Sequence, residues 1–311
     1  MANTISGLAR QAVSAADHDF DLGAPKLKPA DIITFLLIGA QKAGTTWLYS
    51  MLKEHPDIFL ADAKEVHFFD WKRHYALGED WYLHHFADRK AERHVGEFTP
   101  DYMWTHHSHA EGINSDRHFD VPEKVHAMLP DIKLLVSLRN PVTRAVSAFH
   151  HNRTRGRIPL NKSLRDMKDH FGILSMSRYD IQLEAWLKHY DLSRFCILFY
   201  ETDIKPDTAK MSTINRVCDH LGAEPMQALP AIGERFNARK DAAMSYLNRV
   251  PLFRDKYRGQ QVAVAINRMI PDRVQSMLEM HVCEADLAFL QETLEPHNRA
   301  LETLLGRKLP W

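Results

Sequence analysis

The chain has 311 residues, 45% hydrophobic and 26% charged, which supplies a buried core and excludes a disordered chain. Forty Lys+Arg balance forty Asp+Glu, so no global field draws the protein to nucleic acid or an anionic membrane, and any anion site must come from local geometry. No apolar run reaches the roughly 18 residues that span a bilayer. The three cysteines, Cys196, Cys218 and Cys283, are widely spaced, which speaks against a disulfide framework and for a reducing, cytoplasmic setting.

Residues 1–30 lack a signal-peptide pattern and read as an N-terminal arm, and residues 31–311 as one domain with a mainly helical C-terminal part. Residues 32–38, Ile-Ile-Thr-Phe-Leu-Leu-Ile, form the near-continuous apolar run of a strand buried on both faces. A turn over 39–46 leads into a helix over 46–54, stopped before Pro56. A strand is predicted over 94–98, a helix over 121–129 and a second buried strand over 132–138. Asn140-Pro141 supplies a cap and a first-turn proline for a helix to about residue 151. Residues 153–162 read as a basic loop, 179–189 as a helix, 195–200 as a strand and 208–221 as a helix closed by Gly222. The stretch from about 241 is mainly helical. Strands alternating with helices predict an α/β fold with a central parallel sheet flanked by helices in three layers.

The segment Gly39-Ala40-Gln41-Lys42-Ala43-Gly44-Thr45-Thr46-Trp47 joins the first strand to its helix. The first N–H groups of a helix lack internal partners and its dipole favours negative charge, so this placement makes an anion site. Gly44 lets the backbone approach the anion, Thr45 and Thr46 add hydroxyls, and Lys42 adds a full charge. The glycines have P-loop spacing, G-x-x-x-x-G, but Thr45 stands where a nucleoside-triphosphate-binding loop has lysine. The neighbouring strand ends in Arg139, where magnesium chemistry needs a carboxylate. A P-loop kinase is therefore the alternative, and no metal is expected.

Arg139-Asn140-Pro141 repeats the strand–cap–helix layout. Arg139 supplies a planar fork for phosphate oxygens, and Ser147, two turns along the helix, supplies a hydroxyl. Arg144 lies three residues before Ser147, on a similar face. The cluster His106-His107-x-His109 has no cysteine or carboxylate at ligand spacing and reads as a solvated loop. Trp47, Trp71, Trp81, Tyr102 and Trp104 serve either an acceptor cleft or core packing.

At these residues the chain resembles the sulfotransferases that use 3′-phosphoadenosine 5′-phosphosulfate. Gln41-Lys42-Ala43-Gly44-Thr45-Thr46-Trp47 is similar to their 5′-phosphosulfate loop, and Arg139 with Ser147 to their 3′-phosphate motif. Glu65-Val66-His67-Phe68-Phe69-Asp70 resembles the segment holding the catalytic glutamate in the glycosaminoglycan (heparan-type) branch, as Glu97-Phe98-Thr99-Pro100-Asp101-Tyr102 resembles its next block. Tyr200-Glu201-Thr202-Asp203 and the stretch from Pro296-His297-Asn298 to Trp311 are similar to later signatures. That branch has lysine where Phe98 stands here, and the chain looks more like a soluble, bacterial-type member. Arg235, Arg239 and Lys240 are candidates to complete the 3′-phosphate site. The resemblance implies metal-independent sulfuryl transfer to a small-molecule or carbohydrate acceptor. Lys42 would neutralise the leaving group, and Glu65, or His67 two residues on, would be the base. In an extended chain Glu65 and His67 point the same way.

Overall fold

The computed structural model describes residues 27–105, 116–159, 161–230 and 282–311. Most of the expected N-terminal arm lies outside the described residues. So do the 106–109 histidine cluster, Arg235, Arg239, Lys240 and the first part of the expected C-terminal helical stretch.

In chain order the elements are α1 (Pro29–Ile32), β1 (Phe35–Gly39), α2 (Thr45–Lys53), β2 (Ile58–Leu60), α3 (Lys72–Tyr75), α4 (Gly78–His84) and β3 (His94–Phe98). Then follow α5 (Val121–Met128), β4 (Lys133–Leu138), α6 (Pro141–Thr154), α7 (Tyr179–Leu187), β5 (Phe195–Phe199), α8 (Lys210–Leu221) and α9 (Glu284–Leu305). Ile32, expected to lie in the first strand, instead closes α1, where Pro29 starts a turn and Asp31 accepts the Lys28 N–H at 2.9 Å. Helix α6 runs about a turn farther than expected. Its last residues bond back along it, Asn152 Nδ2 to the Ala148 carbonyl at 3.0 Å and Thr154 Oγ1 to that of His150 at 2.8 Å.

The five strands lie in the order β2-β3-β1-β4-β5, and every pair is parallel. Alternation along each strand divides the core in two. Leu36, Ile38, Leu134 and Val136 face α5, α7 and α9 through Val125, Leu183, Trp186 and Leu301. Phe35, Leu37, Leu135 and Leu198 face α2 and α8 through Leu48, Leu52, Ile214 and Val217. Each such aliphatic side chain contributes about 1.5–3 kcal/mol by leaving water. No described helix is long and apolar enough to cross a membrane.

After β1 the chain lays β2 and β3 on one side, then returns to lay β4 and β5 on the other. The reversal between β1 and β4 opens a crevice at the carboxyl ends of the strands, where open α/β sheets bind ligands. At the β5 edge, Arg307 Nη2 donates to the Ile197 carbonyl at 3.4 Å and its guanidinium lies 4.7 Å over the Phe199 ring. Trp311 meets the same ring edge-on at 5.5 Å, so the C-terminal tail covers this strand.

Candidate active site

The crevice is walled by the turn between β1 and α2. Gly44 takes φ +85°, and a Cβ there would come within 2.9 Å of Ile204 Cγ2 and 3.0 Å of the Tyr200 ring. Only glycine combines that twist with that approach. A Cβ on Gly39 would meet Met103 at 2.5 Å, so the strand end is equally tight. Ser137 of β4 donates to the Ala43 carbonyl at 2.6 Å, pinning the loop from below. Ala43 and Thr45 are buried, while Gln41, Lys42, Thr46 and Trp47 are partly exposed. Lys210 lies 5.9 Å over the Trp47 ring.

Arg139, at the end of β4, donates from Nη1 to the Lys42 carbonyl at 3.2 Å and from Nε to Thr143 Oγ1 at 3.0 Å. The two predicted anion motifs therefore touch. The Arg139 guanidinium stacks 4.8 Å over Tyr200. The Asn140 N–H donates to Glu201 at 3.0 Å, which fixes the start of α6. Asn140 caps that helix, its Oδ1 accepting the N–H groups of Val142 at 3.0 Å and Thr143 at 3.2 Å. Ser147 lies partly exposed on α6. Arg144 does not share its setting as expected: it is fully buried and donates to Ser177 Oγ at 2.6 Å and to the Gly172 carbonyl at 2.8 Å.

Burial pushes the Lys42 ammonium down to about 8, helped by the charges of Arg155, Arg139 and Arg144 and opposed by Glu65. His151 on α6 is pushed to about 3 by burial and then by Lys42, Arg155 and Arg157, so it stays neutral. In the sequence Arg155 belongs, with Arg153 and Arg157, to a basic loop that either contacts an anionic acceptor or the nucleotide or is simply solvated, and neither it nor His151 was tied to Lys42. Their signal is the helical spacing i, i+4 from Ser147 to His151 to Arg155, which the early expected end of α6 obscured.

Across the crevice, segment 65–70 is not extended. Glu65 has φ 68° and His67 φ 57°, left-handed twists that cost non-glycine residues about 1 kcal/mol or more each. The same-direction argument for the two side chains therefore fails. The Glu65 side chain is 46% exposed and accepts from Lys64 at 2.8 Å. His67 Nδ1 lies 3.0 Å from Asp70 Oδ2, and its ring stacks on Trp71 at 4.2 Å. Burial alone lowers His67, but the hydrogen bond and charge of Asp70 outweigh it and raise the net value.

Asp70 is fully buried and pairs with Arg117 at 2.9 Å; Arg117 also reaches Asp101 at 3.2 Å. Gln41 Nε2 donates to Asp101 at 3.3 Å, so a polar chain runs from the anion loop to His67. Ligand atoms of His67, Asp70 and Asp101 all lie within 4.8 Å of one another, a grouping that could hold a metal. The Arg117 guanidinium already bonds both carboxylates and supplies the compensating charge. Sequence reasoning named Asp101 only within the block 97–102 and missed Arg117, because a tertiary ion pair leaves no local pattern.

The sulfotransferase domain family matches residues 33–250. Human (Homo sapiens) heparan sulfate glucosamine 3-O-sulfotransferase 6 is 31% identical over 196 residues, covering 60% of this chain and 51% of that protein. Heparan sulfate glucosamine 3-O-sulfotransferase 3A1 of Mus musculus is 32% identical over 195 residues, covering 60% and 45% respectively. The chain spans about half the length of these curated relatives. The solved sulfotransferase of Alicyclobacillus acidocaldarius has the same fold, with TM-score 0.60 at 21% identity over 89% of this chain and 97% of that one.

Proposed function

The chain belongs to the sulfotransferase domain family, and from that premise we propose that it moves a sulfuryl group from 3′-phosphoadenosine 5′-phosphosulfate to a hydroxyl or amine. The observation that carries this reading is the contact of Arg139 with the Lys42 carbonyl. It places two cation-bearing strand ends around one crevice, a setting for a ligand with anionic groups at two ends.

In this reading the acceptor oxygen or nitrogen attacks sulfur, the bond from sulfur to the bridging oxygen breaks, and its electron pair leaves on adenosine 3′,5′-bisphosphate. Lys42 and the loop amides of 43–46 neutralise that oxygen, a contribution of about 3 kcal/mol for one preorganised donor. Arg139 and Ser147 hold the 3′-phosphate. Glu65 takes the acceptor's proton. His67 is the weaker base candidate because Asp70 favours its protonated form, which suits it to orient or to stabilise charge. Metal-independent transfer is part of the same proposal, supported by Arg117, which bridges the Asp70 and Asp101 carboxylates where a cation could otherwise sit. A kinase would need the lysine after Gly44 and the strand-end carboxylate that Thr45 and Arg139 replace.

The heparan sulfate relatives support a carbohydrate as acceptor class. A cytoplasmic setting is part of the same proposal, supported by three unpaired cysteines. The test is labelled donor, a panel of polysaccharide, alcohol and amine acceptors, and mass-spectrometric product detection in chelator-containing buffer. Sulfated product that disappears in Lys42→Ala and Glu65→Gln supports the reading. Normal transfer by both variants, or transfer that requires added magnesium, overturns the role assignments.

A further inference from the structure

We propose that Glu97, enclosed at the carboxyl end of β3, is a positioning residue that holds the backbone of segment 65–70 through two hydroxyl relays. The functional consequence rests on the sulfotransferase reading of that segment; the geometry does not.

Glu97 has no exposed surface. Its Oε1 accepts the hydroxyls of Tyr82 at 2.7 Å and Tyr102 at 2.8 Å, and its Oε2 accepts Thr99 Oγ1 at 2.8 Å. Two of those hydroxyls are themselves acceptors. The Phe68 N–H donates to Tyr102 Oη at 2.9 Å, and the His67 N–H donates to Thr99 Oγ1 at 3.4 Å. A backbone N–H can only donate and a hydroxyl has one proton, so each hydroxyl must send its proton onward. An ionised carboxylate, which only accepts, gives both relays the same direction: amide to hydroxyl to Glu97.

One relay starts at the amide of a strained residue, His67, and the other at its neighbour Phe68. His67 has φ 57° and Glu65 φ 68°. The Glu65 N–H is anchored to the same strand, donating to the Phe98 carbonyl at 2.9 Å. Backbone held in this twist persists only where its surroundings over-determine it, and the amides of 65, 67 and 68 are all tied to residues 97–102. The third donor, Tyr82, stacks on Phe68 at 4.3 Å, so it adds packing without a relay. Burial raises the Glu97 carboxyl above the usual carboxylate range, and the hydroxyls of Tyr82, Tyr102 and Thr99 oppose that rise without cancelling it.

The experiment is amide hydrogen exchange resolved at His67 and Phe68, with Tm and calorimetric binding of adenosine 3′,5′-bisphosphate measured on the same samples. In Glu97→Gln a donating NH₂ replaces one acceptor oxygen, and exchange should rise about tenfold at both amides while the amides of β1 and β4 stay protected. Thr99→Val should release His67 but not Phe68, Tyr102→Phe should release Phe68 (and Phe69, whose N–H also donates to Tyr102 Oη at 3.4 Å) but not His67, and Tyr82→Phe none of them. These two outer variants keep the test open if Glu97→Gln does not fold.

Turnover of 3′-phosphoadenosine 5′-phosphosulfate, read as release of the bisphosphate with heparan sulfate as acceptor probe, should fall about 100-fold in Glu97→Gln. Binding of the bisphosphate should stay within about twofold. Unchanged protection in Glu97→Gln, or equal effects of Tyr82→Phe and Tyr102→Phe, overturns the proposal. A wild-type protein that shows no turnover with any acceptor counts against the sulfotransferase reading, and the exchange pattern still decides the relays.

Discussion

Lys42 loses its proton in the free protein as the pH passes about 8, because burial and then Arg155, Arg139 and Arg144 disfavour its ammonium. A bound polyanion favours the charged form, so binding above that pH must take up a proton. Affinity for adenosine 3′,5′-bisphosphate should therefore be flat below about pH 8 and fall by up to about tenfold per pH unit above it. Calorimetry across pH 7–10 reads this directly, and Lys42→Arg should abolish the slope. Arg139 has a more selective part. Arg139→Ala should weaken adenosine 3′,5′-bisphosphate at least about tenfold while adenosine 5′-phosphate changes little. Equal losses would remove its 3′-phosphate role. Lys42, Glu65, His67 and Arg139 were all legible in the sequence. Arg117 and its pairing with Asp101 were not, because the two are 16 residues apart and meet only through folding.

The element that carries the anion loop depends on its caps. Gly44→Ala forces a side chain into φ +85° and against Ile204, and should cost about 1–2 kcal/mol in urea unfolding together with nucleotide binding. Asn140→Ala removes the acceptor of two first-turn amides and should cost about 1 kcal/mol. Stability unchanged in either variant would contradict the cap geometry. These two turns were readable because glycine, asparagine and proline report local backbone. Strands β1, β4 and β5 were readable because burial on both faces writes a nearly continuous apolar run, whereas β3, His-Val-Gly-Glu-Phe, leaves a weaker signal. Strand β2 has only three residues, and α4 starts on a glycine, so neither leaves a period long enough to see. The twist at Glu65 and His67 was misread as extended for a related reason. Contacts with residues 97–102, not local propensity, impose it.

At the scale of the whole molecule, the C-terminal part acts on the sheet from outside. His297 of α9 faces Asp180 of α7 at 2.9 Å, and Trp311 Nε1 bonds Asn298 Oδ1 at 3.2 Å, which returns the tail to its own helix. The Pro296-His297-Asn298 stretch was noticed in the sequence only as a signature; the fold shows it as a clasp. The tail it holds lies along β5, whose residues Phe-Cys-Ile-Leu-Phe carry no charge and no proline. An uncovered strand of that kind is a template for any other extended chain. A variant ending at residue 305 should therefore stay folded at low concentration yet self-associate with β-rich character as concentration rises, visible by light scattering and thioflavin fluorescence. The six residues after α9 thus guard the molecule against copies of itself.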